Sequence, residues 1–266
     1  MSVPRLARTV ALACLLLLAL CAAPAAAATV AVSDGVLTYA AGRFEPNTVT
    51  LAAAPGGGIA LTDAAALTAP ACAVVDRTAT CPAVTSVVVD ADDFTDVVTV
   101  GADVTVPVTV SDGSGNDTVR GGGGLLTVVN GSGNDAFTAG PGGAVFRTGS
   151  GRDVFTGSTG PDLVDYSAAS RAVTATVDGA ANDGVSREYD TVGAGIDRIL
   201  GSPYHDRLVG GAAGERLEGG AGDDALDGGA GADRLEGGDG TDVADYGRRT
   251  APVTIAADRR VAAIDS

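Results

Sequence analysis

The chain contains no lysine and no tryptophan, and it has one histidine and one methionine. Its 266 residues include 39 glycines, and aromatic residues make up only 4%. Large apolar side chains are scarce beside alanine, valine and glycine, so a thick core like that of an α/β enzyme is hard to build. A thin, repetitive core needs only small and β-branched residues, and the composition therefore favours a solenoid.

The scarcity of histidine also bears on catalysis. His205 lies in a glycine-rich turn, and a Ser-His-Asp triad would have to use it. The sequence has no G-x-S-x-G elbow, HExxH motif or Walker loop. Paired carboxylates could hydrolyse glycosides, but the acids follow a repeat and an aromatic platform for sugar is almost absent. We therefore expect that the protein is not an enzyme.

The N-terminus predicts a secretory signal peptide over residues 1–28. Arg5 and Arg8 precede an apolar run, and a small-residue cleavage region ends near Ala28. The run is short for a membrane anchor, and a lipoprotein signal at Cys21 is the smaller alternative. The remaining chain has 15 arginines against 33 acids, a formal charge of −18, which disfavours nucleic acid and anionic membranes and attracts cations. We predict a secreted, extracellular protein without a later membrane span.

Two cysteines remain after the predicted cleavage, Cys72 and Cys81 in PACAVVDRTATCPA. A single pair in an exported chain predicts a disulfide. The alternative, a redox or metal-binding pair, lacks the C-x-x-C spacing and a nearby histidine. The surrounding leader, residues 29–111, has short Val- and Thr-rich segments between turn residues. It is either a small sandwich or an irregular start to the solenoid.

A nine-residue repeat starts at Asp112. Six copies fill residues 112–165, from DGSGNDTVR to GSTGPDLVD, and six more fill residues 192–245, ending GGAGDDALD, GGAGADRLE and GGDGTDVAD. Residues 166–191 are predicted to be connecting strands and a loop. Segments 162–178 and 242–258 are similar, so residues 246–266 are predicted to form a capping strand.

The eighth position of each nonad is apolar, while the first six positions favour turns. One nonad should therefore form a turn and a short strand, which is half a turn of a flattened coil. Two nonads complete the coil. The predicted fold is all-β, a parallel β-roll or β-helix solenoid.

The sixth position carries an acid in ten of the twelve nonads. These acids are Asp117, Asp135, Asp153, Asp162, Asp197, Asp206, Glu215, Asp224, Asp233 and Asp242. Acids eighteen residues apart fall on one edge of the coil and repel each other unless a cation lies between them. Carboxylate and carbonyl oxygens suit Ca²⁺, whereas Mg²⁺ demands a stricter octahedron and transition metals prefer nitrogen or sulfur ligands. Several Ca²⁺ ions are therefore the expected cofactor.

The nonads resemble the G-G-x-G-x-D-x-U-x repeat of the haemolysin-type (RTX) calcium-binding family. The resemblance covers residues 112–165 and 192–245, and it implies a β-roll, Ca²⁺ bound by turn carbonyls and sixth-position acids, and folding driven by Ca²⁺. Carried over to this chain, it assigns Asp206, Asp224 and Asp242 to one edge of the second block. It assigns Asp197, Glu215 and Asp233 to the other edge.

Two nonads depart from the pattern. Glu215 has a longer side chain and its nonad lacks the fourth glycine, so we expect weak or absent sites there. Tyr204 replaces the fourth glycine before Asp206, which predicts a disturbed turn.

The sequence thus predicts a secreted calcium-binding repeat protein with calcium ions as partners. An alternative is a cell-surface adhesin or surface-layer module that makes contacts through residues 29–111. A secreted hydrolase or toxin fragment is less favoured, because residues 29–111 hold no catalytic constellation.

We predict that ions line only one edge of the first block. Asp117, Asp135 and Asp153 fall on that edge, while Leu126 and Ala144 occupy the facing edge before Asp162. Anomalous scattering from a Tb³⁺-soaked crystal is the measurement. Ions beside Leu126 and Ala144 would contradict the prediction.

Overall fold

The structure is a computed structural model that describes residues 27–42, 45–246 and 261–264. The predicted signal peptide lies outside the described residues except for positions 27 and 28. Residues 247–260 of the predicted capping region also lie outside them. Within the described ranges every regular element is a β-strand, and no helix is long and apolar enough to cross a membrane.

Ten strands precede the nonads. They are β1 (Ala28–Ser33), β2 (Val36–Ala40), β3 (Thr48–Ala54), β4 (Gly58–Thr62), β5 (Leu67–Thr68), β6 (Ala73–Val75), β7 (Thr78–Cys81), β8 (Ser86–Asp90), β9 (Val97–Val100) and β10 (Val108–Ser111).

The first block follows without a break. Its strands are β11 (Thr118–Arg120), β12 (Leu126–Val129), β13 (Ser132–Gly133), β14 (Ala136–Thr138), β15 (Ala144–Arg147), β16 (Ser150–Gly151), β17 (Val154–Thr156) and β18 (Asp162–Asp165). The connecting segment contributes β19 (Val173–Thr176), β20 (Ala181–Val185) and β21 (Asp190–Val192).

The second block and the C-terminal strand complete the chain. They comprise β22 (Arg198–Leu200), β23 (Arg207–Val209), β24 (Arg216–Ala221), β25 (Ala225–Asp227), β26 (Arg234–Asp239), β27 (Asp242–Asp245) and β28 (Val261–Ile264). Strand β28 extends its sheet by pairing in parallel with β27.

Successive nonads alternate between two long sheets, as the eighteen-residue period predicts. Sheet I has the order β26-β24-β22-β18-β15-β12-β10-β8-β2-β1-β5, and sheet II runs from β28 through β27, β25 and β23 to β17, β14, β11 and β9. Leu126 pairs with Ala144 in sheet I, and Ala136 pairs with Val154 in sheet II, both in parallel. The all-β parallel solenoid is therefore confirmed.

The leader is the irregular start of this same solenoid. Strand β8 pairs with β10, and β9 pairs with β11, both in parallel with a spacing of 21 residues instead of 18. The regular stacking thus begins before Asp112, where the sequence placed the first nonad. Hairpins β3–β4 and β6–β7 extend sheet II, and the predicted disulfide joins Cys72 to Cys81 beside them.

In the connecting segment, three strands stand where a regular turn would contribute one strand to sheet II. Strand β21 stacks on β17, β19 stacks on β23, and β20 runs antiparallel between them. In sheet I, β18 pairs directly with β22. The two blocks therefore form one continuous stack.

Glycine lets neighbouring turns approach more closely than any side chain would allow. Gly133 has a φ of 148°, and a Cβ atom built there would lie 1.4 Å from the carbonyl oxygen of Gly115, one turn away. That overlap cannot be relieved by moving a side chain, because the obstacle is backbone. The glycine at this position is thus required for the stacking of the turns.

The core is a thin layer of inward-facing side chains that both sheets contribute. Its largest members in the first block are Phe137, Phe146 and Phe155, all buried, with ring centroids 5.6–5.9 Å apart. Aromatic pairs at such distances add to the free energy of apolar burial.

Replacing Phe146 with alanine should destabilise the calcium-loaded protein by about 3–5 kcal/mol, because it leaves a cavity between two rings. Urea unfolding followed by circular dichroism measures the change, with the variant Phe146→Leu expected to lose less. A loss below about 1 kcal/mol for Phe146→Ala would show that the three rings do not carry the core.

Candidate metal centre

The strand pairing places the sixth-position residues in two columns, one along the entry to each sheet. Column II, before the sheet II strands, contains Asp117, Asp135, Asp153, Asp206, Asp224 and Asp242. Column I, before the sheet I strands, contains Leu126, Ala144, Asp162, Asp197, Glu215 and Asp233. These are the two edges predicted from the period of the sequence.

A repeated hydrogen bond holds the column II carboxylates. The backbone N–H of Asp117 donates to Oδ1 of Asp135 at 2.7 Å, and that of Asp135 donates to Oδ1 of Asp153 at 3.0 Å. In the second block Asp224 accepts from the N–H of Asp206 at 2.8 Å. Each carboxylate thus satisfies the amide of the sixth-position residue just before the strand one turn earlier, and this contact draws it into the interior.

The second oxygen of several of these carboxylates is buried without a hydrogen-bond partner among the described residues. The atoms concerned are Oδ2 of Asp117, Asp135, Asp224 and Asp242, and Oδ1 of Asp162. An unsatisfied buried polar group costs about 1–3 kcal/mol, and more when it is charged. Such a set of oxygens would be stabilised by a proton donor or by a cation.

The remaining predicted ligands differ in their surroundings. Both oxygens of Asp206 accept hydrogen bonds, Oδ2 from the N–H of Ser202 at 2.5 Å and Oδ1 from its hydroxyl at 2.6 Å. Tyr204 does not break the column, because the N–H of Asp206 still donates to Asp224. The disturbance predicted for this turn therefore does not extend to the stacking register.

Column I in the second block is less enclosed. Glu215 is buried, and its Oε2 accepts from the N–H of Gly211 at 3.2 Å. Asp197 is exposed and Asp233 is half-buried. In the first block Leu126 and Ala144 are both buried and apolar, as expected for an edge without carboxylates.

The most concentrated acidic site combines two predicted residues with one that is new. Asp112, Asp117 and Asp135 place one carboxylate oxygen each within 4.8 Å of one another, and each residue is at most 2% exposed. Asp112 holds the first position of its nonad, and its Oδ1 accepts from the N–H of Gly131 at 2.8 Å. The Oδ2 atoms of all three residues lack a hydrogen-bond partner among the described residues.

Burial dominates the electrostatics of this cluster. Desolvation, together with the negative charge of Asp135, raises the pKa of Asp112 to about 7 and that of Asp117 to about 7. The pKa of Asp135 is also raised by burial. The amides that donate to these groups lower their pKa values, but they do not offset the loss of water.

The cluster fits a hard cation. Oxygen atoms that share one Ca²⁺ at about 2.4 Å lie no more than about 4.8 Å apart, which matches the spacing of the three carboxylates. The carbonyl oxygens of the neighbouring turns are partly engaged, since Gly113 accepts from the N–H of Ser132 and Ser132 accepts from that of Gly115. The orphaned carboxylate oxygens are thus the strongest ligands available here.

Sequence reasoning missed several members of this edge. Asp96 extends column II into the leader, because its Oδ1 accepts from Asn47 and its N–H donates to Asp117. Asp190 continues the column across the connecting segment by accepting from the N–H of Asp153 at 2.9 Å.

A signal for Asp96 was present in the sequence. Residues 91–99, ADDFTDVVT, have an acid at position six and valine at position eight. Three additional residues between this copy and Asp112 place it out of register with the nonads counted from Asp112. Asp190 and the first-position Asp112 had no comparable signal in the repeat pattern.

The comparison with protein families identifies the repeats. Residues 129–164, 191–213 and 209–244 match the family described as RTX calcium-binding nonapeptide repeat, in four copies. The matched segments cover well under half of the chain and start at the end of the second nonad, and the structure nevertheless includes the first two nonads in the stack. No curated protein matches the chain.

We expect the metal-free chain to fold better in mild acid. The folded-state pKa values of Asp112, Asp117 and Asp190 rise to about 7, about 7 and about 8, above those of the unfolded chain. The stabilisation that protonation of these groups gives to the fold is therefore complete below about pH 4 and is lost as the pH rises through 7–8. In excess chelator, circular dichroism should show more β-structure at about pH 5 than at about pH 8.

Calcium should reverse this dependence, because protons compete with the ion for the same oxygens. A chelated chain that loses β-structure on acidification would contradict the pKa shifts.

Proposed function

We propose that the RTX-type repeats make this chain a secreted calcium-binding protein, in which Ca²⁺ binds at the stacked turns and is coupled to folding. The observation that carries the proposal is the row of buried carboxylates with orphaned oxygens in column II and at Asp162. The family match supports calcium as the ion, since the matched repeats are described as calcium-binding.

The coupling to folding follows from the balance of forces in the stack. Glycine loses more conformational freedom on folding than any other residue, and the chain contains 39 of them. The core between the sheets is one side chain deep, while the turns bury like charges close together. A cation that binds only the folded stack contributes its binding free energy to folding.

Secretion is supported by two independent features. The N-terminal sequence has the three parts of a signal peptide. The Cys72–Cys81 disulfide is of the kind that persists in oxidising compartments. Extracellular calcium is abundant enough for sites of millimolar to submillimolar affinity, as in other extracellular modules.

The surroundings of His205 fit a role in holding neighbouring turns together better than a role in catalysis. The imidazole is 70% exposed, and its Nδ1 accepts the backbone N–H of Asp223 at 2.6 Å. It thus continues an outer ladder in which Asp223 accepts from the N–H of Thr241. We assign this histidine to the stacking of turns and propose no enzymatic activity.

The test is a calcium titration of the mature, oxidised chain near neutral pH. In excess chelator, circular dichroism should show mostly disordered chain, and millimolar Ca²⁺ should restore the β signal. The same concentration of Mg²⁺ is the control, and it should restore much less because Mg²⁺ requires a stricter octahedron. A β signal that is indifferent to chelator would overturn the coupling of calcium to folding.

A further inference from the structure

The first position of the nonad differs between two turns that are otherwise alike. Asp112 and Asn130 occupy equivalent places eighteen residues apart, each beside a pair of column II carboxylates. The Nδ2 of Asn130 donates to Oδ2 of Asp153 at 2.6 Å and thereby satisfies that oxygen. The side chain of Asp112 has no N–H to donate, and the corresponding oxygen, Oδ2 of Asp135, remains without a partner among the described residues.

We propose that Asp112 is a metal ligand which, with Asp117 and Asp135, forms a three-carboxylate cation site, and that Asn130 closes the equivalent site one turn later. The nonapeptide pattern assigns its ligand acid to the sixth position, so a first-position carboxylate lies outside that pattern. The proposal rests on the proposed function for the identity of the natural ion. The location of the site rests on the geometry of the cluster alone.

The second block contains an independent case of closure by a hydrogen-bond donor. The N–H and hydroxyl of Ser202 both donate to Asp206, which leaves neither of its oxygens orphaned. Ser158 donates in the same way to Oδ2 of Asp162, but Oδ1 of Asp162 stays without a partner in the described part of the chain. Occupancy by a cation thus depends on whether the turn itself supplies enough donors.

The charge of the cluster defines the class of ion. A bound cation would hold the three carboxylates in their ionised form, and no arginine of the described residues forms a hydrogen bond or ion pair with them. A divalent ion leaves one negative charge in a buried place, whereas a trivalent lanthanide of similar size neutralises the site. We therefore expect Tb³⁺ to bind here more tightly than Ca²⁺, since both prefer carboxylate oxygens.

The experiment counts bound ions in the full mature chain by native mass spectrometry, with Tb³⁺ and with Ca²⁺. The variant Asp112→Asn should bind one ion fewer than the wild type. It should retain the fold, because an asparagine Oδ1 still accepts from Gly131 and its Nδ2 can donate to Asp135, as Asn130 does to Asp153. The reciprocal variant Asn130→Asp should bind one ion more, because it recreates three carboxylates with Asp135 and Asp153.

The control is Asp34→Asn, which removes the same charge from an exposed hairpin turn and should leave the count unchanged. An unchanged count in Asp112→Asn, or in Asn130→Asp if the first variant fails to fold, would overturn the proposal while leaving calcium binding elsewhere intact. A wild-type chain that binds no ion would instead overturn the proposed function. A loss in Asp112→Asn together with a gain in Asn130→Asp would establish the first position as the determinant.

Discussion

The hydrogen bond from the amide of a sixth-position acid, just before its strand, to the carboxylate of the equivalent acid on the next turn is the contact on which this solenoid depends. It recurs from Asp96 to Asp117, from Asp117 to Asp135 and from Asp206 to Asp224. Because the acceptor sits at a fixed position of the repeat, a slip of one residue would break the ladder and turn the apolar eighth positions outward. The same contact brings the carboxylates into the interior, where water cannot reach their second oxygens.

The buried oxygens of these acids need a partner, and three kinds of partner can supply it. A neighbouring donor satisfies some oxygens, as Asn130 does for Asp153 and Ser202 does for Asp206. A proton can satisfy others, which is why the pKa of Asp112 rises to about 7. The proposed cation would satisfy a cluster of them at once, and like a hydrogen-bond donor it favours the charged form of the acids.

Because the core is thin, the partners of these buried carboxylates matter for the stability of the fold. Each turn contributes only one or two inward apolar side chains per sheet, such as Ala144 and Phe146 in sheet I and Phe155 in sheet II. The glycine-rich turns that join them bury little apolar surface and carry a large entropic cost. In the proposed function, the free energy of ion binding would stabilise the turns, where burial of apolar surface contributes least.

Much of the architecture could be predicted from the sequence because the repeat is short and local. The alternation of turn and apolar positions specified half a coil per nonad, and the eighteen-residue period placed Asp117 with Asp135 and Leu126 with Ala144. The Cys72–Cys81 pair followed from composition and the predicted export. Physically, these features depend on neighbouring residues or on a strict period, both of which are visible in one dimension.

Only the tertiary structure showed how the stack continues where the nine-residue period is interrupted. The three additional residues before Asp112 hid the repeat around Asp96, and the strands β19 to β21 restored the stack across a segment with no nonad at all. The difference between Asp112 and Asn130 also became meaningful only in three dimensions, because the carboxylates Asp135 and Asp153 that they meet lie 23 residues further along the chain, on the next turn. The sequence by itself determined the stack and its acidic edge, while the tertiary structure decided which carboxylate oxygens remain unsatisfied, since satisfaction depends on contacts between turns.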